Sequence, residues 1–178
     1  MNVKNYKEKL NVPAGITVKL DAGLLTVTGT KGELKRNFFD PNMKISIQDN
    51  AIVVDIPKMS KREKTQLGTI FAHMKNMFRG VNEGFVYKLK ICSGHFPMNV
   101  TVKNHEFIIK NFIGEKVPRI LRFNPCVSIK IDGDIVTIEA IDIELAGQVA
   151  SQIEKLSTRV GFDRRIFQQG IFITEKPE

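Results

Sequence analysis

Apolar and polar residues alternate along short runs in each half of the chain, and each half then closes on a helical stripe. In residues 16–20 and 24–28 the alternation is interrupted only by Asp21-Ala22-Gly23, which predicts two strands joined by a tight turn. Residues 32–38 extend that meander, and residues 43–48 and 51–56 repeat the pattern around Asp49-Asn50. Ser60-Lys61-Arg62-Glu63 reads as a capping box, in which the Ser hydroxyl accepts a free helix N–H and the Glu carboxylate reaches back to the N–H of the cap. Leu67, Ile70, Phe71, Met74 and Phe78 then recur at helical spacing, and Gly80 is the expected stop.

The second half predicts the same order of elements. Residues 100–102 and 106–110 make one hairpin, and residues 127–131 and 135–139 make another around Asp132-Gly133. Asp142 is the expected N-cap of a helix carrying Leu145, Val149, Ile153, Leu156 and Val160 on one face, with Gly161 as its stop. Residues 83–94 bridge the halves; the alternation of residues 85–91 predicts an ordered, strand-like connection. Residues 162–178 have no counterpart after the first helix.

The two halves also share letters. Residues 12–19 read V-P-A-G-I-T-V-K and residues 96–103 read F-P-M-N-V-T-V-K, an offset of 84. After a one-residue slip, Gly29, Lys31 and Phe38 are answered by Gly114, Lys116 and Phe123. So long a period is no solenoid, whose repeats run about 20–50 residues. It predicts an α+β chain made of two tandem copies of a small antiparallel sheet with one helix packed on a face. Residues 1–82 form the first repeat, and residues 83–178 form the second together with a C-terminal extension.

Charge narrows the reading. The chain carries a formal net charge of +8 over 178 residues, a balance that favours a polyanionic partner. Residues 1–82 hold 14 basic and 7 acidic side chains, and residues 83–178 hold 13 and 12. Five acids of the second half (Asp132, Asp134, Glu139, Asp142 and Glu144) are gathered in one stretch without a base, so its cations lie elsewhere. Cys92 and Cys126 have neither a disulfide framework nor metal-ligand spacing and read as buried free thiols. The N-terminal residues show no apolar core of a signal peptide, and no apolar run nears the ~20 residues that span a membrane. The expected setting is the cytoplasm.

Nothing in the sequence assembles a catalytic or metal centre. His73, His95 and His105 are isolated, although His95 sits among turn-like neighbours. There is no nucleophile elbow, phosphate-binding loop or dinucleotide glycine fingerprint. Asp132-Gly133-Asp134 lacks the oxygen spacing of a calcium loop. The expectation is therefore a non-enzyme without cofactor.

The basic segments carry more. Lys110, Asn111, Lys116, Arg119 and Arg122 flank a polar loop containing Phe112 and Gly114. Arg159, Arg164 and Arg165 follow the second helix, with Gln169 and Gly170 beyond them. In the first half, Lys31, Lys35 and Arg36 surround the matching loop. Lys58, Lys61, Arg62 and Lys64 crowd a helix start, where positive charge opposes the dipole. Forked or flexible cations beside glycine suit phosphate contacts; a plain solvated surface remains the alternative for each segment.

In order, these segments resemble a known family. N-V-P-A-G-I-T-V-K (11–19), T-G-T-K-G-E-L-K-R-N-F (28–38), H-F-P-M-N-V (95–100), N-F-I-G-E-K (111–116) and D-R-R-I-F-Q-Q-G-I-F-I-T-E-K (163–176) resemble the eukaryotic and archaeal branch of large-subunit ribosomal protein six in the universal naming, called ribosomal protein nine in eukaryotes. Gln148-Val149-Ala150 resembles a segment shared with bacterial members. The resemblance implies a non-catalytic component of the large ribosomal subunit that binds large-subunit rRNA near the sarcin–ricin loop and the stalk base. It further implies neighbouring ribosomal proteins as partners and translational GTPases in transient proximity. It places the main rRNA contact on the second repeat, in agreement with the 110–122 loop and the 159–170 tail. Together with the charge reading, the candidate rRNA-binding residues are Lys110, Asn111, Lys116, Arg119, Arg122, Arg159, Arg164, Arg165, Gln169 and Gly170 in the second repeat and Lys31, Arg36, Lys61 and Arg62 in the first. The chain departs from the eukaryotic pattern at Val117-Pro118, where those members carry further basic residues, and its segment 123–128 is short. Two other readings stay open on the residues alone: a free regulatory RNA-binding protein, and an enzyme with a site assembled between the repeats. Residues 163–176 are expected to order only against RNA or a neighbouring protein, the alternative being an extra edge strand on the second sheet.

Overall fold

The computed structural model describes residues 3–48, 50–94, 96–163 and 165–177, with the side chains of residues 3–5 left aside. Asp49, His95 and Arg164 of the sequence reading lie outside the described residues. The chain divides into two compact units, one ending at Gly84 and the other starting at Phe85.

The first unit runs β1 (Val3–Asn11), β2 (Thr17–Asp21), β3 (Leu24–Gly29), β4 (Gly32–Asn37), β5 (Lys44–Gln48), β6 (Ala51–Met59) and α1 (Lys61–Asn82). Its strands form two antiparallel sheets of order β1-β6-β5 and β2-β3-β4. Period-two alternation turns Leu25 and Val27 of β3 inward, and Ile52, Val54 and Ile56 of β6 are fully enclosed. Helix α1 packs on β3, β4 and β6, and encloses Leu67, Phe71, Met74, Met77, Phe78 and Val81. Its start is the predicted capping box: Arg62 N–H donates to Ser60 Oγ, and Ser60 N–H donates to Glu63 Oε2 at 3.0 Å. The side-chain contact with Ser60 holds the Glu63 carboxyl below its ordinary range.

The second unit runs β7 (Phe85–Ser93), β8 (Asn99–Lys103), β9 (Glu106–Lys110), a single 3-10 turn (Phe112–Gly114), β10 (Arg119–Arg122), β11 (Val127–Asp132), β12 (Ile135–Ala140), α2 (Ile143–Leu156) and β13 (Gln169–Glu175). Its sheets have the orders β10-β9-β8 and β11-β12-β7-β13. One core joins them: Leu89 and Ile91 of β7, Phe107 and Ile109 of β9, Ile138 of β12, and Ile153 of α2. Asp142 caps α2 as predicted, accepting from Glu144 N–H at 2.9 Å.

The class is α+β with two tandem units, and four details differ from the sequence reading. Each unit splits its strands between two small sheets rather than one. Residues 85–93 are no connector; they form β7, paired with β12 on one side and β13 on the other, in the place β1 holds beside β6. Helix α1 does not stop at Gly80, which is buried within it; Gly84, at φ +74°, ends it. Helix α2 stops at Leu156, five residues before Gly161, and Val160 is 95 % exposed rather than on the apolar face.

The extension brings the largest correction. Residues 169–175 are ordered against the chain's own second sheet: Ile171 opposes Ile91, Phe172 opposes Lys90, and Ile171 is fully buried. The edge-strand alternative describes them, and RNA is not needed to order them. The thiols differ too, since Cys92 is only half-buried and Cys126 is exposed.

Candidate nucleic-acid interface

The loop after β9 is built from left-handed backbone. Asn111 (φ +59°), Ile113 (φ +47°) and Gly114 (φ +74°) turn the chain tightly, and Phe112 is driven inward as the loop's anchor. The Asn111 side chain donates to the Pro97 carbonyl at 2.9 Å and so serves the fold. Lys110 and Lys116, on either side, remain exposed.

Arg119 has a different role from its neighbours. Its guanidinium meets the Glu115 carboxylate in a fork at 2.7 and 2.8 Å. It also donates to the carbonyls of Leu156 at 2.6 Å and Thr158 at 2.9 Å, and stacks 4.2 Å above the Phe112 ring. The Leu156 carbonyl is among the groups a helix C-terminus leaves without partners, and Thr158 lies just beyond the cap. Arg119 therefore caps α2 and ties it to the 111–116 loop, and its side chain is 21 % exposed. The hydrogen bond from Arg119 holds the Glu115 carboxyl below its usual range.

The tail residues separate in the same way. Gln169 is buried, with its amide donating to the Phe96 carbonyl at 2.9 Å and accepting from Phe96 N–H at 3.2 Å. Gly170 sits at φ +150°, where a Cβ would lie 3.2 Å from the Ser157 carbonyl and 3.3 Å from its hydroxyl. That glycine allows β13 to approach the end of α2; its close neighbour is protein. Arg159 is exposed, with its guanidinium 4.8 Å over the Phe162 ring. Arg165 is exposed and paired with Asp163 at 2.8 Å. That hydrogen bond keeps the Asp163 carboxyl low and raises the Arg165 guanidinium. Arg122 reaches Glu106 at 2.8 Å from an open strand end.

In the first unit, Lys31 is likewise turned to a helix end. Its N–H donates to the Val81 carbonyl at 2.9 Å and its ammonium to the Glu83 carbonyl. Arg36 lies 3.3 Å from His73 Nε2 and over the Phe38 ring. Lys61 and Arg62 are exposed on the first turn of α1.

Some of the predicted residues converge and others do not. Arg159 and Gln169 border one shallow depression together with Phe112, Phe162 and Phe167. Lys110 and Arg165 border two adjoining polar grooves that share Ile91, Ser93 and Asp134. Arg122 stands apart from these three depressions. Among the described residues no group of His, Cys, Asp and Glu could hold a metal ion, and no helix is long and apolar enough to cross a membrane. Phe162, Ile166 and Phe167 escaped the sequence reading as site residues. Their signal was an apolar stretch beside arginines, with neither helical nor strand periodicity.

Known proteins match this sequence along most of the chain. The family described as Ribosomal protein L6 matches residues 12–84 and again residues 96–170, one match in each unit. The large ribosomal subunit protein uL6 of Aeropyrum pernix is 43 % identical over 171 residues, covering 95 % of this chain and 93 % of the relative. The protein of the same name from Methanosarcina mazei is 38 % identical over 174 residues, covering 98 % and 99 %. That from Sulfurisphaera tokodaii is 38 % identical over 177 residues, covering 99 % and 95 %. The chain belongs to the ribosomal protein L6 family, on its archaeal side.

Proposed function

We propose that this chain is a structural constituent of the large ribosomal subunit in the cytoplasm, holding large-subunit rRNA without catalysing a reaction. The observation that carries this reading is the double family match, one in each repeat, together with relatives named as large-subunit proteins over nearly their whole length. The net charge of +8 supports a phosphate-rich partner. The finer reading places the rRNA near the sarcin–ricin loop and the stalk base, with neighbouring ribosomal proteins as further partners and translational GTPases passing close by. Residues 83–178 supply the main contact and residues 1–82 a smaller one. Of the cations expected to meet rRNA, Lys110, Lys116, Arg122, Arg159 and Arg165 of the second unit and Lys31, Lys61 and Arg62 of the first are exposed among the described residues.

The test is co-sedimentation of the full chain with large subunits in a high-salt gradient. Retention in the large-subunit peak is expected. Release into the free fractions, with RNA binding preserved, would favour a regulatory RNA-binding protein instead. Replacing Lys110 and Lys116 with Ala should lower the slope of log affinity against log salt by roughly 1 for each phosphate no longer neutralised.

A further inference from the structure

Salt-dependent phosphate contacts need only cations, yet the stretch between α2 and β13 also exposes apolar surface. Ile166 is 69 % exposed and Phe167 38 %, in a segment that holds Arg159, Phe162, Asp163 and Arg165 as well. Phe162 and Phe167 form a T-shaped pair with ring centroids 5.0 Å apart and planes at 75°. The Arg159 guanidinium lies against the Phe162 ring. The three side chains border one shallow depression, floored by Phe112 and Ile113 of the loop that Arg119 locks to the end of α2. The depression is thus a small set of aromatic and guanidinium surfaces fixed to a rigid frame, with cations on the same segment.

We infer that this depression is a stacking platform for one unpaired base of the bound RNA. The inference rests on the rRNA reading above and adds to it the kind of nucleotide recognised. A regular RNA helix hides its base faces and offers phosphates and 2′-hydroxyls at its surface, so exposed rings gain little from it. A bulged or looped-out base offers a π-face, which stacks on Phe or on a guanidinium plane whatever its sequence. Arg159, which borders the depression, supplies a cation for a phosphate flanking such a base, and Arg165 is a second exposed cation on the same segment. An aliphatic protein segment would fill the apolar surface but would offer no anion to the exposed Arg159 guanidinium at its border.

The test uses the full chain and two hairpin RNAs of equal length: one with a single bulged 2-aminopurine, the other fully paired. Tighter binding of the bulged hairpin is expected, with quenching of the 2-aminopurine fluorescence as the base stacks. Phe162→Leu and Phe167→Leu, which keep apolar volume but remove the ring, should lower affinity for the bulged hairpin by about 5- to 150-fold, the span measured for removal of a base–aromatic stack. Affinity for the paired hairpin should stay unchanged, and Phe167→Trp should retain tight binding. The quenching is read on the unaltered chain, so it stands even where a variant folds poorly. Equal affinity for both hairpins with unquenched fluorescence would overturn the platform and leave the rRNA reading intact. Failure to bind either hairpin at low salt would overturn both.

Discussion

The two units begin alike and end differently, and the difference lies in how each holds the end of its helix. In the first, α1 runs 22 residues and closes on Gly84. Its last carbonyls receive the N–H and ammonium of Lys31, from the loop between β3 and β4. In the second, α2 runs only 14 residues. Its end is held by Arg119, and by Ser157, whose hydroxyl accepts the Ile171 N–H at 2.9 Å and donates to the Glu154 carbonyl at 3.0 Å. Both repeats thus place a cation on the helix C-terminus, where it meets unsatisfied carbonyls and the negative end of the dipole. The second repeat adds a strand to that lock. A cation in a basic loop is therefore not by itself a phosphate ligand, because Lys31 and Arg119 first serve helix ends.

Removing the added strand breaks the comparison most severely. Truncation after Gly161 deletes β13, uncovers the inner edge of β7 and takes Ile171 from the core. Loss of a buried Ile side chain alone costs about 2–5 kcal/mol, a large part of the roughly 5–15 kcal/mol that holds a small domain together. The second unit should lose its cooperative thermal transition while the first keeps its own, which near-ultraviolet circular dichroism and limited proteolysis would both record. A truncated chain melting like the full one would return β13 to the role of an appendage.

Substituting Arg119 is the next largest effect. Arg119→Ala removes four hydrogen bonds around a charged group. It should lower stability by about 2–3 kcal/mol, as the loss of charge-assisted bonds does. The salt slope of RNA binding should hold steady. Lys116→Ala should do the reverse, lowering that slope by roughly 1 with the thermal midpoint unmoved. If the two variants exchange these signatures, Arg119 is the phosphate ligand and Lys116 the structural residue.

The matched glycines sharpen the comparison further. Gly29 and Gly114 are matched in the sequence repeat, but Gly29 ends β3 whereas Gly114 closes the turn after β9, and each is required for a different reason. A Cβ at Gly29 would lie 2.7 Å from Val81 Cγ2 and 2.9 Å from its carbonyl, so Gly29→Ala forces α1 off β3. Overpacking of that kind costs about 1–3 kcal/mol. Gly114 has room, with its nearest neighbour Phe96 at 3.9 Å, but holds φ +74°. Gly114→Ala should cost about 1–2 kcal/mol through backbone strain alone. Urea unfolding of the two variants would rank them.

Where local chemistry settles structure, the sequence was readable. The box at Ser60 and Glu63, the cap at Asp142 and the turns at Ala22-Gly23 and Gly133 each depend on residues within a few positions. The resemblance that pointed to the family rested on motifs spread along the chain. What stayed hidden depends on partners far along it. Gln169 serves Phe96, 73 positions away, and Arg119 serves Leu156, 37 positions away. Neither the exposure of Arg159 nor the burial of Ile171 has a local signature. Gly80 and Gly161 misled for a related reason: glycine marks a helix end only when packing does not claim it first, and Ser157 ended α2 before Gly161 was reached.

The smallest expected effect concerns pH, and it separates the two helix-end locks by their chemistry. Lys31 in the first unit donates to carbonyl groups, which do not titrate near neutrality. Arg119 in the second also needs the Glu115 carboxylate, whose pKa the Arg119 hydrogen bond lowers from its ordinary 4.5. A carboxyl lowered on folding contributes stability that is fully present above its unfolded value. That contribution is lost as pH falls through the folded value. The pair is partly exposed, with 21 % and 28 % of its side chains open to water, so its share is under about 1 kcal/mol. As pH is lowered through the range below 4.5, the melting of the second unit should therefore fall by slightly more than other carboxylates account for. Glu115→Gln, which keeps an acceptor but not the charge, should flatten that excess while leaving stability at neutral pH lower by the same small amount. If the acid dependence of the second unit is the same with and without the Glu115 charge, the fork acts through geometry alone, and the two helix ends are held by one chemistry after all.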